Sequence, residues 1–314
     1  MPSKTKINFT LSQATEGFFL NATARGLSDA TLRDYGNTIK RFSVFLEEDL
    51  PIADITTQHV EQFLSAQDHL SNKSLLNYHT GLSSLWTWAL KENLVETHVV
   101  RAITAPKPEQ REIVPFTENE IKLMLSSLDK SRPYTRPGKK LSDHSIPGAE
   151  RHRAIILMLL DTGMRASELC NLDIQHVDVR AQRVLVMGKG SKERMLPFSA
   201  RTGQVLWRYL ATRPGAEKTD PLFATLDGRF RLTRDDLRRR LDGIGERAKV
   251  DHVHPHRFRH TFAIQFLRNG GDPYSLQMLL GHSTMEMVRR YLAIAQTDLD
   301  RAHKRASPVD NWRL

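Results

Sequence analysis

The residues able to do chemistry crowd into one run near the C-terminus: His254-Pro-His-Arg-Phe-Arg-His-Thr, then Leu279-Leu-Gly-His-Ser, then Arg289-Arg-Tyr291. They supply two imidazoles, His256 and His282, a guanidinium, Arg259, and a phenol, Tyr291, each able to hold or attack a phosphate. His256 and Arg259 stand three apart and share a helix face if a helix follows Pro255, a residue suited to a first turn. The next segment runs from Asp272-Pro273 to Leu280, stops at Gly281 and restarts at Ser283 or Thr284, both suitable caps. This puts His282 at a break between helices, where backbone amides are free and a side chain is exposed. Tyr291 closes the helical apolar pattern of Met285, Val288 and Leu292, and a tyrosine there is ordinarily a core or rim residue.

Two earlier stretches change the weight of that run: Thr162-Gly-Met-Arg-Ala-Ser-Glu-Leu169, and Gly188-Lys-Gly-Ser-Lys-Glu-Arg194 between two apolar segments. The five stretches together resemble the tyrosine recombinases, the phage integrase and Xer-like family, across the C-terminal two-thirds of the chain. By that resemblance Arg165 takes the place of the first family arginine and Lys189 that of the hairpin lysine. His256 and Arg259 form the His-x-x-Arg pair, His282 is the second histidine and Tyr291 the nucleophile. Each stretch alone is weak, since a Gly-Lys-Gly turn or a lone Gly-His arises by chance. Six matching residues in order are specific.

The chemistry implied is phosphoryl transfer to a tyrosine. A free phenol has a pKa near 10, so forming phenolate at pH 7 costs roughly 4 kcal/mol. Arg165 and Arg259 would clamp the non-bridging oxygens of the scissile phosphate, donors of this kind contributing roughly 3–4 kcal/mol each. His256 and His282 would assist proton movement off the phenol or stabilise the phosphorane, and Lys189 would protonate the departing 5′-oxygen. Arginine suits a clamp because it stays charged and forks, lysine an acid because its pKa can move. The 3′-phosphotyrosyl bond exchanges one ester for another, so a 5′-hydroxyl reverses the step without ATP, metal or cofactor.

Charge agrees with a polyanionic partner. The 314 residues carry a formal charge of +10 and a pI near 9.8, a signature that ribosomal and membrane-surface proteins share. Residues 1–104 hold 9 Lys and Arg against 11 Asp and Glu, leaving 37 against 25 for residues 105–314, so the attraction lies with the motif stretches. No apolar run approaches a membrane span, the polar start is no signal peptide, and the single cysteine, Cys170, excludes an internal disulfide and fits a reducing cytoplasm. Cys170 reads as packing.

The elements that must position these groups follow from periodicity. Residues 11–95 read as four helices: Leu11, Ala14 and Phe18 open the first, Ser28 caps a second that Pro51 ends, Thr57 caps a third and Ser71 a fourth. The resemblance makes residues 1–104 a SAM-like core-binding domain that grips DNA opposite the catalytic domain; a helical oligomerisation module is the plainer alternative. Residues 105–115, polar and with three prolines, read as an interdomain linker. Thr117-Glu-Asn-Glu120 is a capping box opening the catalytic domain, residues 116–295. Residues 131–150 form a basic loop, longer than the family usually has here, that is either solvated or an extra phosphate contact.

Ile155 to Leu160 is a buried helix ending at Gly163. Arg165, just inside the next helix, runs against the helix dipole and so hints at a bound anion. Glu168, the family's usual acidic partner, reads otherwise as a surface ion pair. From Gln175 to Ser199 the period becomes two, with Val177 and Val179, Val184 and Val186, then Met195 and Pro197. This is a three-stranded antiparallel sheet with Lys189 in its second turn, where Lys192 and Arg194 add phosphate-binding charge. Further helices span 201–212 and 233–249, the second bearing Arg234, Arg238, Arg239 and Arg240. The cluster His252, His254, His256 and His260 invites a zinc reading, but no cysteine or His-Glu-x-x-His accompanies it. In the tail, residues 296–314, Thr297-Asp-Leu-Asp300 starts a short helix that Pro308 ends; the resemblance implies docking on a neighbouring protomer, and packing back on its own domain is the plainer alternative.

The expected molecule is therefore mainly α, with a four-helix N-terminal domain and an α-rich catalytic domain carrying a small sheet. It is expected to be a cytoplasmic, metal-independent recombinase acting on double-stranded DNA as a homo-tetramer on paired sites. A type IB-like topoisomerase and a catalytically idle DNA-binding regulator are the alternatives.

Overall fold

Capping side chains set the first helices. The computed structural model describes residues 8–109, 112–129, 146–188, 193–295, 303 and 307–312. Helix α1 (Leu11–Ala24) opens on a reciprocal capping box between Thr10 and Gln13, and α2 (Asp29–Leu46) opens on Ser28. The second helix ends at Glu47, in a left-handed conformation with φ 62°. Pro51, expected to end it, lies five residues beyond Leu46 and forms a bridge with Thr10. Helix α3 (Thr57–Ser65) takes Thr56 as its cap, one residue before the Thr57 expected, and α4 (Asn72–Lys91) takes Ser71. Their apolar stripes meet in one core, where the Phe42 ring packs edge-on against Phe63 at 5.2 Å and Trp86 at 6.1 Å. Burying each such side chain contributes about 1.5–3 kcal/mol.

The chain divides into two compact units, Met1–Arg111 and Glu112–Leu314. In the second, α5 (Glu118–Ser126) starts at the expected capping box of Thr117 and Glu120. Helix α6 (Ala149–Thr162) ends at Gly163, and the short α7 (Ala166–Cys170) follows at once. A 3-10 turn (Ile174–His176) leads to a sheet of order β1-β2-β3, made of Val177–Asp178, Arg183–Met187 and Glu193–Pro197, antiparallel throughout. Helices α8 (Ala200–Ala211), α9 (Arg234–Ala248), α10 (Pro255–Arg268), α11 (Pro273–Leu280), α12 (Glu286–Ala295) and α13 (Pro308–Trp312) complete it.

The sheet register corrects one expectation. Val184 pairs with Leu196 and Val186 with Arg194, so Arg194 and Leu196 share the inward face while Met195 and Pro197 point outward. The period of two was right and its phase wrong, because an arginine on the inward face breaks the apolar pattern. Pro308 starts α13, as suits a residue lacking an amide hydrogen at a first turn, while the helix it was expected to end lies mostly outside the described residues. Thr297-Asp-Leu-Asp300, most of the 131–150 loop and residues 189–192 lie outside the described residues.

A large core joins α5 to α9 and the sheet, and a smaller one gathers Ala263, Ile264, Leu276, Leu280, Val288 and Tyr291 from α10, α11 and α12. Helix α10 is tied to the start of α5, where Thr261 Oγ1 accepts from the Phe116 amide at 2.8 Å and Arg257 donates to Glu120 at 2.8 Å. Among the described residues no helix is long and apolar enough to cross a membrane.

Candidate active site

The C-terminal end of α11 organises the cationic side of the site. Three consecutive backbone carbonyls there each take an arginine: Leu279 O accepts from Arg194 Nε at 2.9 Å, Leu280 O from Arg259 Nη2 at 2.7 Å and Gly281 O from Arg165 Nη2 at 3.3 Å. A helix C-terminus has unsatisfied carbonyls and the negative end of the dipole, so it is a natural seat for cations. The turn depends on Gly281, whose φ of 62° is left-handed and whose added Cβ would lie 3.0 Å from Arg194 Nη1.

Glu168 fixes two of these arginines from the other side. It is 3% exposed and accepts from Arg194 Nη1 and Nη2, each at 2.8 Å, from Arg165 Nη1 at 3.0 Å and from the Arg165 amide at 2.8 Å. Burial alone would raise its pKa, but the Arg194 hydrogen bonds, the Arg165 amide and both guanidiniums outweigh it and hold the carboxyl below its usual range. Glu168 is therefore no surface ion pair. Arg194 is a tether rather than a free phosphate-binding charge, since all three of its guanidinium nitrogens are bound inside the protein.

Arg165 occupies the cap position of α7, one residue outside the helix instead of just inside it, and is the more open of the two clamp candidates, its side chain 36% exposed. Arg259 is 4% exposed and also donates from Nη1 to the carbonyl of Gly163 at 2.8 Å. Gly163 has φ 61°, and a Cβ there would meet Phe262 Cδ1 at 2.3 Å, so the carbonyl that holds Arg259 needs glycine behind it. Burial and the nearby Arg165 lower the Arg259 pKa to about 10, which leaves it charged at neutral pH.

Arg259 Nη2 also donates to His282 Nε2 at 2.7 Å. Because arginine has no acceptor, His282 must accept through Nε2 and carry its proton on Nδ1, an atom that is buried and has no hydrogen-bond partner among the described residues. Burial, then Arg259, Arg165 and Arg194, push the His282 pKa down to about 4. The expected free amide and exposed side chain are not found. The His282 amide donates to Gln277 O at 3.1 Å and the side chain is half-buried, because the helix-ending turn satisfies its own backbone. The restart also comes later than expected, at Glu286 rather than near Ser283 or Thr284.

Tyr291, 2% exposed, stacks on His282 with ring centroids 6.4 Å apart and planes 12° apart. Its hydroxyl pairs with Nδ1 of His260 at 2.9 Å. Burial raises the phenol pKa, while Arg259, Arg290 and Arg165 oppose the rise. His256 lies one turn before His260 on α10, ring centroids 6.5 Å apart, and its pKa is lowered by burial, Arg259 and Arg165. His254 serves as the cap of α10, its Nδ1 accepting from the Arg257 amide at 3.2 Å. Among the described residues no group of three or more His, Cys, Asp or Glu is placed to share a metal ion.

The structure thus gathers Arg165, Arg259, His282 and Tyr291 around the end of α11, with His256 on the adjoining turn of α10. Lys189 lies in the connection between Met187 and Glu193, outside the described residues. Sequence reasoning missed His260, which it placed only in a possible zinc cluster, and missed that Glu168 and Arg194 act together. Spacing held a signal for His260: it stands four residues after His256, one turn along the same helix face.

Residues 116–298 match the phage integrase family, and residues 15–96 match the phage integrase N-terminal SAM-like domain. The tyrosine recombinase XerC of Oceanobacillus iheyensis is 31% identical over 299 residues, covering 91% of this chain and 93% of that protein. The XerC of Bacillus subtilis is 29% identical over 283 residues, covering 87% and 88%. Among solved structures, the Tn1549 transposon integrase in complex with a circular intermediate DNA superposes with a TM-score of 0.73 at 20% identity, covering 93% of this chain and 98% of that one. The XerH site-specific recombinase bound to its palindromic difH substrate gives 0.68 at 22% identity, covering 97% and 85%. At these identities the two structures speak for the fold: a SAM-like helical domain followed by an α-rich domain with a small three-stranded sheet. With the family match spanning more than half of the chain and the XerC relatives nearly all of it, this chain belongs to the phage integrase family and is a tyrosine-type site-specific recombinase.

Proposed function

We propose that the chain binds double-stranded DNA and cleaves it through attack of Tyr291 on a phosphate held between Arg165 and Arg259, forming a 3′-phosphotyrosyl bond. The observation that carries this is the placement of the Tyr291 phenol beside His282, which is itself bonded to Arg259. Both arginines are held by consecutive carbonyls of α11, so they come preorganised and would lose little entropy in gripping a transition state. His282 would add a third donor, since its Nδ1 hydrogen has no partner among the described residues. His256 would contact the same phosphate from the first turn of α10.

Lys189, in the connection between β2 and β3, would protonate the 5′-oxygen as it leaves. Because Tyr291 is almost fully buried, DNA binding must open its cover before attack. The basic excess of residues 105–314 supports attraction to the DNA backbone. Assembly as a homo-tetramer on paired sites, with the tail docking on a neighbour, is supported by Trp312 and Val309 of α13, which are 72% and 57% exposed.

A test of the leaving-group assignment uses Lys189→Ala on two nicked substrates, one ordinary and one with a 5′-bridging sulfur. The variant should cleave ordinary DNA on the order of a hundredfold more slowly and the sulfur substrate at nearly the normal rate, because a thiolate leaves without a proton. Equal slowing on both would remove Lys189 from that role.

A further inference from the structure

We propose that His260 is the proton acceptor for Tyr291, and so a further catalytic residue of this recombinase. The inference rests on the reading of Tyr291 as the nucleophile. Nδ1 of His260 lies 2.9 Å from the phenol oxygen, the one hydrogen-bond partner that oxygen has among the described residues. If Nδ1 carried the imidazole proton, the phenol's own hydrogen would be left without an acceptor in a site that is 2% exposed. Nδ1 is therefore the bare nitrogen and the phenol donates to it.

The other imidazoles are less suited. His282 Nε2 is taken by Arg259 and its Nδ1 bears hydrogen, leaving no lone pair for a phenol proton. His256 shows no hydrogen bond to Tyr291, its ring standing beyond His260. Solvent cannot take the proton while the phenol is covered.

Position favours the same assignment. His260 follows Arg259 directly on α10, so the proton acceptor and one phosphate clamp ride on a single helix. A phenol oxygen advancing toward a phosphate held at Arg259 stays near Nδ1. The groups facing His260 are His256, His254 and Arg259 from its own helix and its N-terminal cap, and Tyr291 and Arg290 from α12. Burial first, and then these cations and histidines, lower its pKa to about 4, so the ring is neutral and able to accept at pH 7. A DNA phosphate entering beside Arg259 offsets part of that positive field and strengthens the base at the moment of attack.

The step balances. The Tyr291 Oη–H proton passes to His260 Nδ1 as the Oη–P bond forms. The P–O5′ bond breaks with its electron pair on the 5′-oxygen, which takes a proton from the acid assigned to Lys189. Religation runs the same transfers backward, His260 returning the proton to the phenol.

The test compares wild type with His260→Asn in single-turnover cleavage of a nicked DNA substrate between pH 6 and 9. Asparagine places a polar amide where Nδ1 stands and can hold the phenol but cannot take its proton. DNA binding should be unchanged. Cleavage at pH 7 should fall at least a hundredfold, the deficit shrinking about tenfold per pH unit as hydroxide replaces the lost base. If His260→Asn fails to bind DNA, His260→Ala with added imidazole carries the same test, and rescue that rises with neutral imidazole is expected. Wild-type rates for the variant, faster cleavage, a deficit independent of pH, or no imidazole rescue would each overturn the assignment. A wild-type protein that forms no covalent adduct would instead sink the reading of Tyr291 on which it rests.

Discussion

Replacing Glu168 by alanine should be among the most damaging changes in the catalytic unit, although Glu168 itself touches no DNA in the proposed mechanism. The carboxylate is 3% exposed and accepts four hydrogen bonds, two from Arg194, one from the Arg165 guanidinium and one from the Arg165 amide. Its removal leaves Arg194, whose side chain is 15% exposed, as a largely buried charge without its partner. Breaking a buried pair in this way costs about 3–5 kcal/mol. For a unit of about 200 residues each kcal/mol moves the midpoint by about 2–4 °C, so thermal unfolding followed by circular dichroism should shift by roughly 6–20 °C. The double variant Glu168→Ala with Arg194→Met should recover part of the loss, because the more deeply buried of the two guanidiniums, Arg194, goes with its partner. Since the Glu168 pKa is depressed, its contribution is present above the unfolded carboxyl pKa of about 4.3 and is lost only as pH falls below it. The deficit should therefore be the same at pH 6 and pH 8. A midpoint shift below 2 °C, or a double variant as unstable as the sum of its parts, would refute the tether.

Other outcomes follow from single groups. Gly163→Ala should cost at least about 1 kcal/mol in urea unfolding, because φ is positive and the methyl meets Phe262, and it should lower cleavage by shifting the carbonyl that holds Arg259. Stability should decline as pH falls from 6.5 toward 4, since His152, His260 and His282 have pKa values lowered to about 3, 4 and 4 while the unfolded chain protonates near 6.5. His152→Asn, at a residue 6% exposed, should flatten that slope by about 1 kcal/mol per pH unit, measured by urea midpoints. Deleting residues 296–314 should preserve binding to a single site and weaken cooperative assembly in gel-shift titrations; a truncated protein that recombines two sites normally would remove the tail from assembly.

Most of the helical framework was legible because its signals are local. Ser28, Ser71 and Thr117 act as the caps expected, and Gly163 and Gly281 end helices where a left-handed residue was needed. The illegible parts depend on partners distant in sequence. Arg194 looks like solvent-facing charge until the register with Val186 turns it inward toward Glu168, twenty-six residues earlier. That buried pair is also why the phase of β3 was misread. His282 looked exposed at a helix break because the Gln277 carbonyl that binds its amide is supplied by a turn closing on itself. His260 looked like one more histidine in a cluster, and only the packing of α12 on α10 sets it against Tyr291, thirty-one residues later.

The central claim, that Tyr291 becomes covalently joined to DNA, is tested most directly by trapping the protein on a nicked substrate in excess EDTA. The adduct is then digested with protease and nuclease and its nucleotide-bearing peptide located by mass spectrometry. The expected result is a 3′-linked nucleotide on Tyr291, absent from Tyr291→Phe, which should still bind DNA. A nucleotide on another residue, such as the exposed Tyr274, or cleavage that leaves no adduct and requires a divalent metal, would contradict it.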